Sequence, residues 1–147
     1  QILDLVKDLK KELGMAMIWI THDLGVVAGL ADTINVMYAG RVVERGPIEK
    51  VFGNPANAYT LGLLNSLPRL DQSGAEQRLI QIEGAPPDMR IEPIGDSFAP
   101  RNQYATERCF KETPPLRVVD AKNPDHFTAA WYDLRALRAQ ETQQETV

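Results

Sequence analysis

Six consecutive residues, Met15-Ala-Met-Ile-Trp-Ile20, carry no polar side chain. A strand with one wet face alternates apolar and polar residues. An unbroken apolar run is covered on both faces, which is the habit of a central strand in a parallel sheet flanked by helices. Thr21-His22-Asp23 ends the run. Asp23 is a good N-cap for a following helix, with Leu24, Val27, Ala28 and Ala31 as its buried stripe. The pattern therefore predicts His22 at the carboxyl end of a buried parallel strand, where open α/β sheets bind ligands. An imidazole N–H there can donate to a phosphate oxygen, and a helix N-terminus favours anions. Position alone leaves a second reading open: a structural histidine that closes a strand end and bonds to backbone.

The flanking segments extend the pattern. Ile2, Leu5, Val6, Leu9 and Leu13 recur at helical spacing, with Gly14 as a stop. The helical pattern is already running at Gln1 with no cap before it, so the chain reads as cut from something longer. Ile34 to Tyr38 and Arg41 to Glu44 read as two strands of a hairpin turning at Ala39-Gly40. Short helices are expected over Ile48 to Phe52 and over Ala58 to Leu67, the second stopped by Pro68. Asp71 to Gln77 reads as a polar loop and Leu79 to Ile82 as a short strand. Between Gly84 and Pro100 the prolines and glycines forbid one regular element, so this stretch should wrap over a surface. A helical turn or two is expected within Tyr104 to Phe110, a strand over Leu116 to Val119 and a helix over Ala129 to Ala139. Gln140 to Val147 is polar and aperiodic and reads as a disordered tail.

Bulk composition narrows the class. The chain has 147 residues, 44% hydrophobic and 24% charged, with a net charge of −4. That is the balance of a soluble globular protein, and the acidic net charge argues against a nucleic-acid partner. No apolar run approaches the roughly 20 residues needed to span a bilayer. The lone Cys109 excludes an internal disulfide and fits a reducing compartment, so the bulk reading is cytoplasmic. Trp19 and the methionines Met15, Met17 and Met37 read as core, and Lys10-Lys11 and Arg135/Arg138 as solvated helix faces.

The stretch IWITHDLGVVAGLADTINVMYAGRVVERGP resembles the last segment of the ATP-binding subunit of ABC transporters. In that family the strand-end histidine is the switch residue of the H-loop; the resemblance implies that His22 contacts the γ-phosphate of ATP and helps position the attacking water. Further on, NPANAYTLGLLNSLPRLD, IEGAPPD and FAPRNQYATERCFKETPPL resemble the C-terminal extension of oligopeptide and dipeptide importer ATPases. The usual form of the first motif is Asn-Pro-x-His-Pro-Tyr-Thr; here Asn57 and Ala58 stand for His-Pro. The implied fold is α/β: residues 1–53 the C-terminal part of a P-loop (ABC-type) ATPase domain after the D-loop, 54–139 an irregular α+β extension, 140–147 a tail. The implied partners are a second ATPase subunit, transmembrane permease subunits and, indirectly, a solute-binding protein, at the cytoplasmic face of the membrane. Peptides are the implied substrate class, with nickel close enough to stay open.

Two absences bear on chemistry. The chain has no G-x-x-x-x-G-K-[ST] loop, no signature motif and no acidic Walker B pair. A phosphate cradle needs converging backbone N–H groups, a lysine and a Mg²⁺ ligand. ATP and Mg²⁺ therefore belong to an intact protein, and this chain alone is expected not to hydrolyse ATP. Many members of the subfamily also carry four cysteines in the extension that resemble iron–sulfur ligands. Aligned here, those positions hold Asp96, Asn102, Cys109 and Ala130, so no cluster is expected. A mixed Zn²⁺ site of Asp96, Cys109 and His126 is the alternative, and packing by Phe98, Tyr104, Phe110, Phe127, Trp131 and Tyr132 the plainer one. The rival to the whole reading is a non-catalytic interaction module with a structural His22. If the partner strands of 15–20 are missing, the exposed apolar run should also drive self-association.

Overall fold

A computed structural model describes residues 2–67 and 81–144. Its centre is a four-stranded antiparallel sheet, not the parallel sheet expected. Helix α1 (Ile2–Leu13) and helix α2 (Leu24–Leu30) precede a hairpin of β1 (Thr33–Tyr38) and β2 (Arg41–Pro47). Helices α3 (Ile48–Gly53) and α4 (Ala58–Asn65) follow, then a long irregular segment holding two 3₁₀ turns, Ala99–Arg101 and Glu107–Phe110. Strands β3 (Arg117–Asp120) and β4 (Asn123–Thr128) form a second hairpin, and α5 (Leu134–Gln144) closes the described chain. The spatial order is β1-β2-β4-β3.

The first hairpin turns where expected, and for the expected reason. Ala39 and Gly40 both take positive φ, 47° and 76°, the geometry of a two-residue turn matched to strand twist. β1 alternates exposed and buried residues, so Ile34, Val36 and Tyr38 face the core. Val43 and Val51 join them, with Phe98 arriving from the irregular segment. Tyr38, Tyr59 and Phe98 pack as an aromatic trio with ring centroids 4.6–5.3 Å apart. Phe98 thus serves the aromatic packing expected of it, whereas Phe110 is half exposed.

Met15 to Ile20 forms no strand. The segment has no ladder partner among the described residues, and Ile18 and Ile20 are 91% and 94% exposed. Trp19, Met15, Met17 and Met37 are exposed too, against the core role read from their type. The parallel strands that would cover both faces of such a run are not among the described elements. The same holds for α1, which forms as expected but buries no residue.

β4 was not legible. Its sequence, Asn-Pro-Asp-His-Phe-Thr, lacks strand composition and carries a proline. It is a strand because it fits between two others: Glu44 and Arg45 of β2 pair with Thr128 and Phe127, which pair with Arg117 and Val118 of β3. Strands from before and after residue 53/54 thus share one sheet. The C-terminal helix starts at Leu134 rather than Ala129 and continues through Gln144, so the first residues of the expected tail are helical. Gln81 and Ile82 lie in no strand, while Pro68, the loop of 71–77 and the start of the strand expected from Leu79 fall outside the described residues.

Candidate functional site

His22 stands on the connection between the apolar segment and α2. Asp23 caps α2 by taking the Gly25 and Val26 amides on Oδ1, at 2.9 and 3.2 Å. The Asp23 amide donates to Thr21 Oγ1 at 3.0 Å. These bonds fix the backbone on either side of His22 and leave its ring outward. The ring is exposed and makes no hydrogen bond among the described residues. A histidine closing a strand end would be buried and bonded; this one is neither.

A second constellation is buried, and sequence reasoning missed most of it. Glu44 of β2 and His126 of β4 are both 0% exposed, with Glu44 Oε1 2.7 Å from His126 Nε2. Arg135 Nη2 lies 2.8 Å from His126 Nδ1. A guanidinium can only donate, so Nδ1 accepts and the ring proton sits on Nε2, directed at the carboxylate. Glu44 also takes the Ala56 and Asn57 amides, at 2.7 and 3.2 Å. Arg135 reaches on to the Asn54 carbonyl at 2.8 Å and to Asp120 at 3.2 Å. It is no solvated face residue but the clamp between α5, β3 and the Asn54 turn. Asn57 completes the joint: its Nδ2 donates to the Val43 and Ala129 carbonyls, and its Oδ1 caps α4 by accepting from Tyr59 N at 3.0 Å. The one sequence signal was Glu44 itself, a carboxylate placed directly after two valines of a strand.

This arrangement dismantles the mixed zinc site. Both ring nitrogens of His126 are engaged by Glu44 and Arg135, away from Asp96 and Cys109. Among the described residues no three His, Cys, Asp or Glu side chains converge on one point.

Asp96, Asn102, Cys109 and Ala130 are all buried. Asp96 and Cys109 are joined directly, the Asp96 amide donating to the Cys109 carbonyl at 2.7 Å. Burial holds the Tyr132 phenol and the Asp96 carboxyl above their ordinary pKa ranges, the Phe98 amide partly offsetting the rise at Asp96. An iron–sulfur cluster does not fit this donor set. It needs soft thiolates, and here one thiol stands with a carboxyl, an amide and a methyl group. Asn102 Nδ2 and Ser97 Oγ are buried with no hydrogen-bond partner among the described residues, and neither is a ligand for such a cluster.

Comparison with known proteins agrees with the motifs. Residues 43–109 match the family model described as the oligopeptide/dipeptide transporter C-terminal region. The chain is 47% identical over 131 residues to the oligopeptide transport ATP-binding protein OppD of Bacillus subtilis, covering 89% of this chain and 36% of that protein. It is 45% identical over 131 residues to the dipeptide transport ATP-binding protein DppD of Lactococcus lactis, with the same shares of 89% and 36%. Over 109 residues it is 50% identical to the OppD of Haemophilus influenzae, covering 74% of this chain and 33% of the relative. The chain thus spans about a third of the length of the curated relatives it matches.

Proposed function

We infer the role of this chain from one premise: its residues 43–109 are the C-terminal region of the oligopeptide/dipeptide transporter family. On that premise the chain is the C-terminal part of the ATP-hydrolysing subunit of an ABC importer for peptides. The observation that carries this reading is the family match together with 44–50% identity to peptide-transport ATP-binding proteins. The whole subunit binds ATP and Mg²⁺ at the cytoplasmic face of the membrane. It pairs with a second ATPase subunit and drives permease subunits that receive peptide from a solute-binding protein. No described helix is long and apolar enough to cross a membrane, in keeping with a peripheral subunit.

Within that subunit His22 is the group that touches the γ-phosphate. Its exposed ring is open to a ligand, which supports this role. The phosphate cradle and the Mg²⁺ ligands lie outside this chain's own motifs, so the chain by itself does not turn over ATP. A preparation of the 147 residues is expected to show no hydrolysis above a His22→Ala control. The region from Asn54 onward serves subunit contacts or regulation rather than phosphate chemistry.

Uptake tests the substrate class. Inactivating the gene is expected to abolish uptake of a radiolabelled tripeptide and to leave nickel uptake unchanged. Loss of nickel uptake with intact peptide uptake would select the nickel importers instead. Unchanged uptake of both would remove the transporter reading.

A further inference from the structure

The positions where related extensions carry cluster cysteines are not simply vacated in this chain; they are rebuilt. Three of the four hold acceptors that close local turns. Asp96 Oδ1 takes the Phe98 amide at 3.0 Å, and Asn102 Oδ1 takes the Tyr104 amide at 2.9 Å. Cys109 Sγ takes the Thr106 amide at 3.4 Å. Each side chain therefore shapes the loop it sits on without any ion.

The loops are also fastened to one another. The Asp96 amide donates to the Cys109 carbonyl at 2.7 Å. Gly95 beside it takes φ of +74°, and a Cβ there would stand 2.4 Å from that same carbonyl oxygen. Only glycine permits so close an approach in that conformation. Tyr132 then enters from the segment after β4. Its hydroxyl accepts the Ala58 amide at 3.3 Å, and its ring stacks on Tyr104 with centroids 6.3 Å apart.

We propose that Asp96, Asn102, Cys109 and Tyr132 form a metal-free joint that fastens the two loops and the start of α4 together, in place of a four-thiolate cluster. The joint works by hydrogen bonds and packing alone, so the extension is indifferent to iron, chelators and oxygen. The lone thiol is wholly buried and bonded, which keeps it from metal and oxidant alike. The inference holds whether or not the chain serves a transporter, because its test reads neither ATP nor peptide.

The test has two arms on the full chain. In the first, anaerobically purified protein is incubated with ferrous iron and sulfide, then desalted. We expect no retained iron, no visible cluster absorbance and the same melting temperature in air, under argon and with EDTA. Stoichiometric iron and sulfide, or a melting temperature lowered by EDTA or air, would overturn the proposal. In the second arm Tyr132→Phe keeps the ring and removes the hydroxyl, so the Ala58 amide loses its acceptor. A fall of about 3–5 °C in Tm is expected, with faster exchange at Ala58. An unchanged Tm and unchanged exchange would overturn it. Should Tyr132→Phe fail to fold, the first arm on the unaltered chain still decides.

Discussion

Glu44 ties three buried donors together. Its two oxygens serve the Ala56 and Asn57 amides and His126 Nε2, all in a dry interior. Replacing it with alanine strands two backbone donors and an imidazole. Each buried donor left without an acceptor costs about 1–3 kcal/mol. Glu44→Ala is therefore expected to lower unfolding free energy by about 3 kcal/mol or more in urea titration, whereas a loss below ~1 kcal/mol would show that the joint carries little. Asp96 gives the opposite lesson. Burial raises its folded pKa above the unfolded one, so its contribution is fully present at acid pH and is lost as pH rises through the folded value. Asp96→Asn keeps an oxygen for the Phe98 amide and removes the charge. The variant should match the parent near pH 4 and gain stability relative to it as pH rises, and thermal melts across pH check this. A gap that shrinks with rising pH would reverse the sign of the argument. The position of Glu44 after two valines hints at a buried acid, but neither its partners nor the shift at Asp96 was legible, because sequence does not name the groups the fold brings to a carboxylate.

Among the elements, those with local causes were readable. The Ala39-Gly40 hairpin and the Asp23 cap are each set by residues within a few positions, and each formed as its sequence predicts; the Asn57 cap is equally local and was missed. Asp23→Ala removes the acceptor of two amides at the start of a seven-residue helix. A cap of this kind contributes about 1 kcal/mol. Hydrogen exchange across α2 is expected to speed up roughly fivefold with little change in the β-sheet; unchanged protection would show that packing of Leu24 and Val27 holds the helix unaided. Strand β4 has no local cause. Its polar, proline-bearing sequence becomes a strand only because β2 and β3 offer ladders on both sides, and the Lys50–Asp125 pair at 2.6 Å ties it to α3. The segment of 15–20 fails in the converse way. Its sequence asks for neighbours on both faces, and among the described residues none supplies them.

At the scale of the molecule, the resemblance to peptide-transport ATP-binding proteins was legible while the sheet was not. Motifs such as MYAGRVVERG and FAPRNQYATERCF can be read as contiguous residues, whereas strand direction depends on what packs alongside. Ile2, Leu5, Ile18 and Ile20 are all large, apolar and exposed. Patches of such residues associate, so the isolated chain is expected to form concentration-dependent oligomers in sedimentation, and Ile18→Lys with Ile20→Lys to make it monomeric. A wild-type chain monomeric at high concentration would contradict this. On the proposed reading, His22 stands beside the nucleotide in the whole subunit. That placement is the central claim, and one measurement addresses it directly: steady-state ATP hydrolysis by the full-length subunit with and without His22→Ala, nucleotide binding being followed in parallel. The account predicts retained ATP binding and turnover reduced about tenfold or more, as expected when a transition-state contact is lost. Turnover within about twofold of the parent would contradict it.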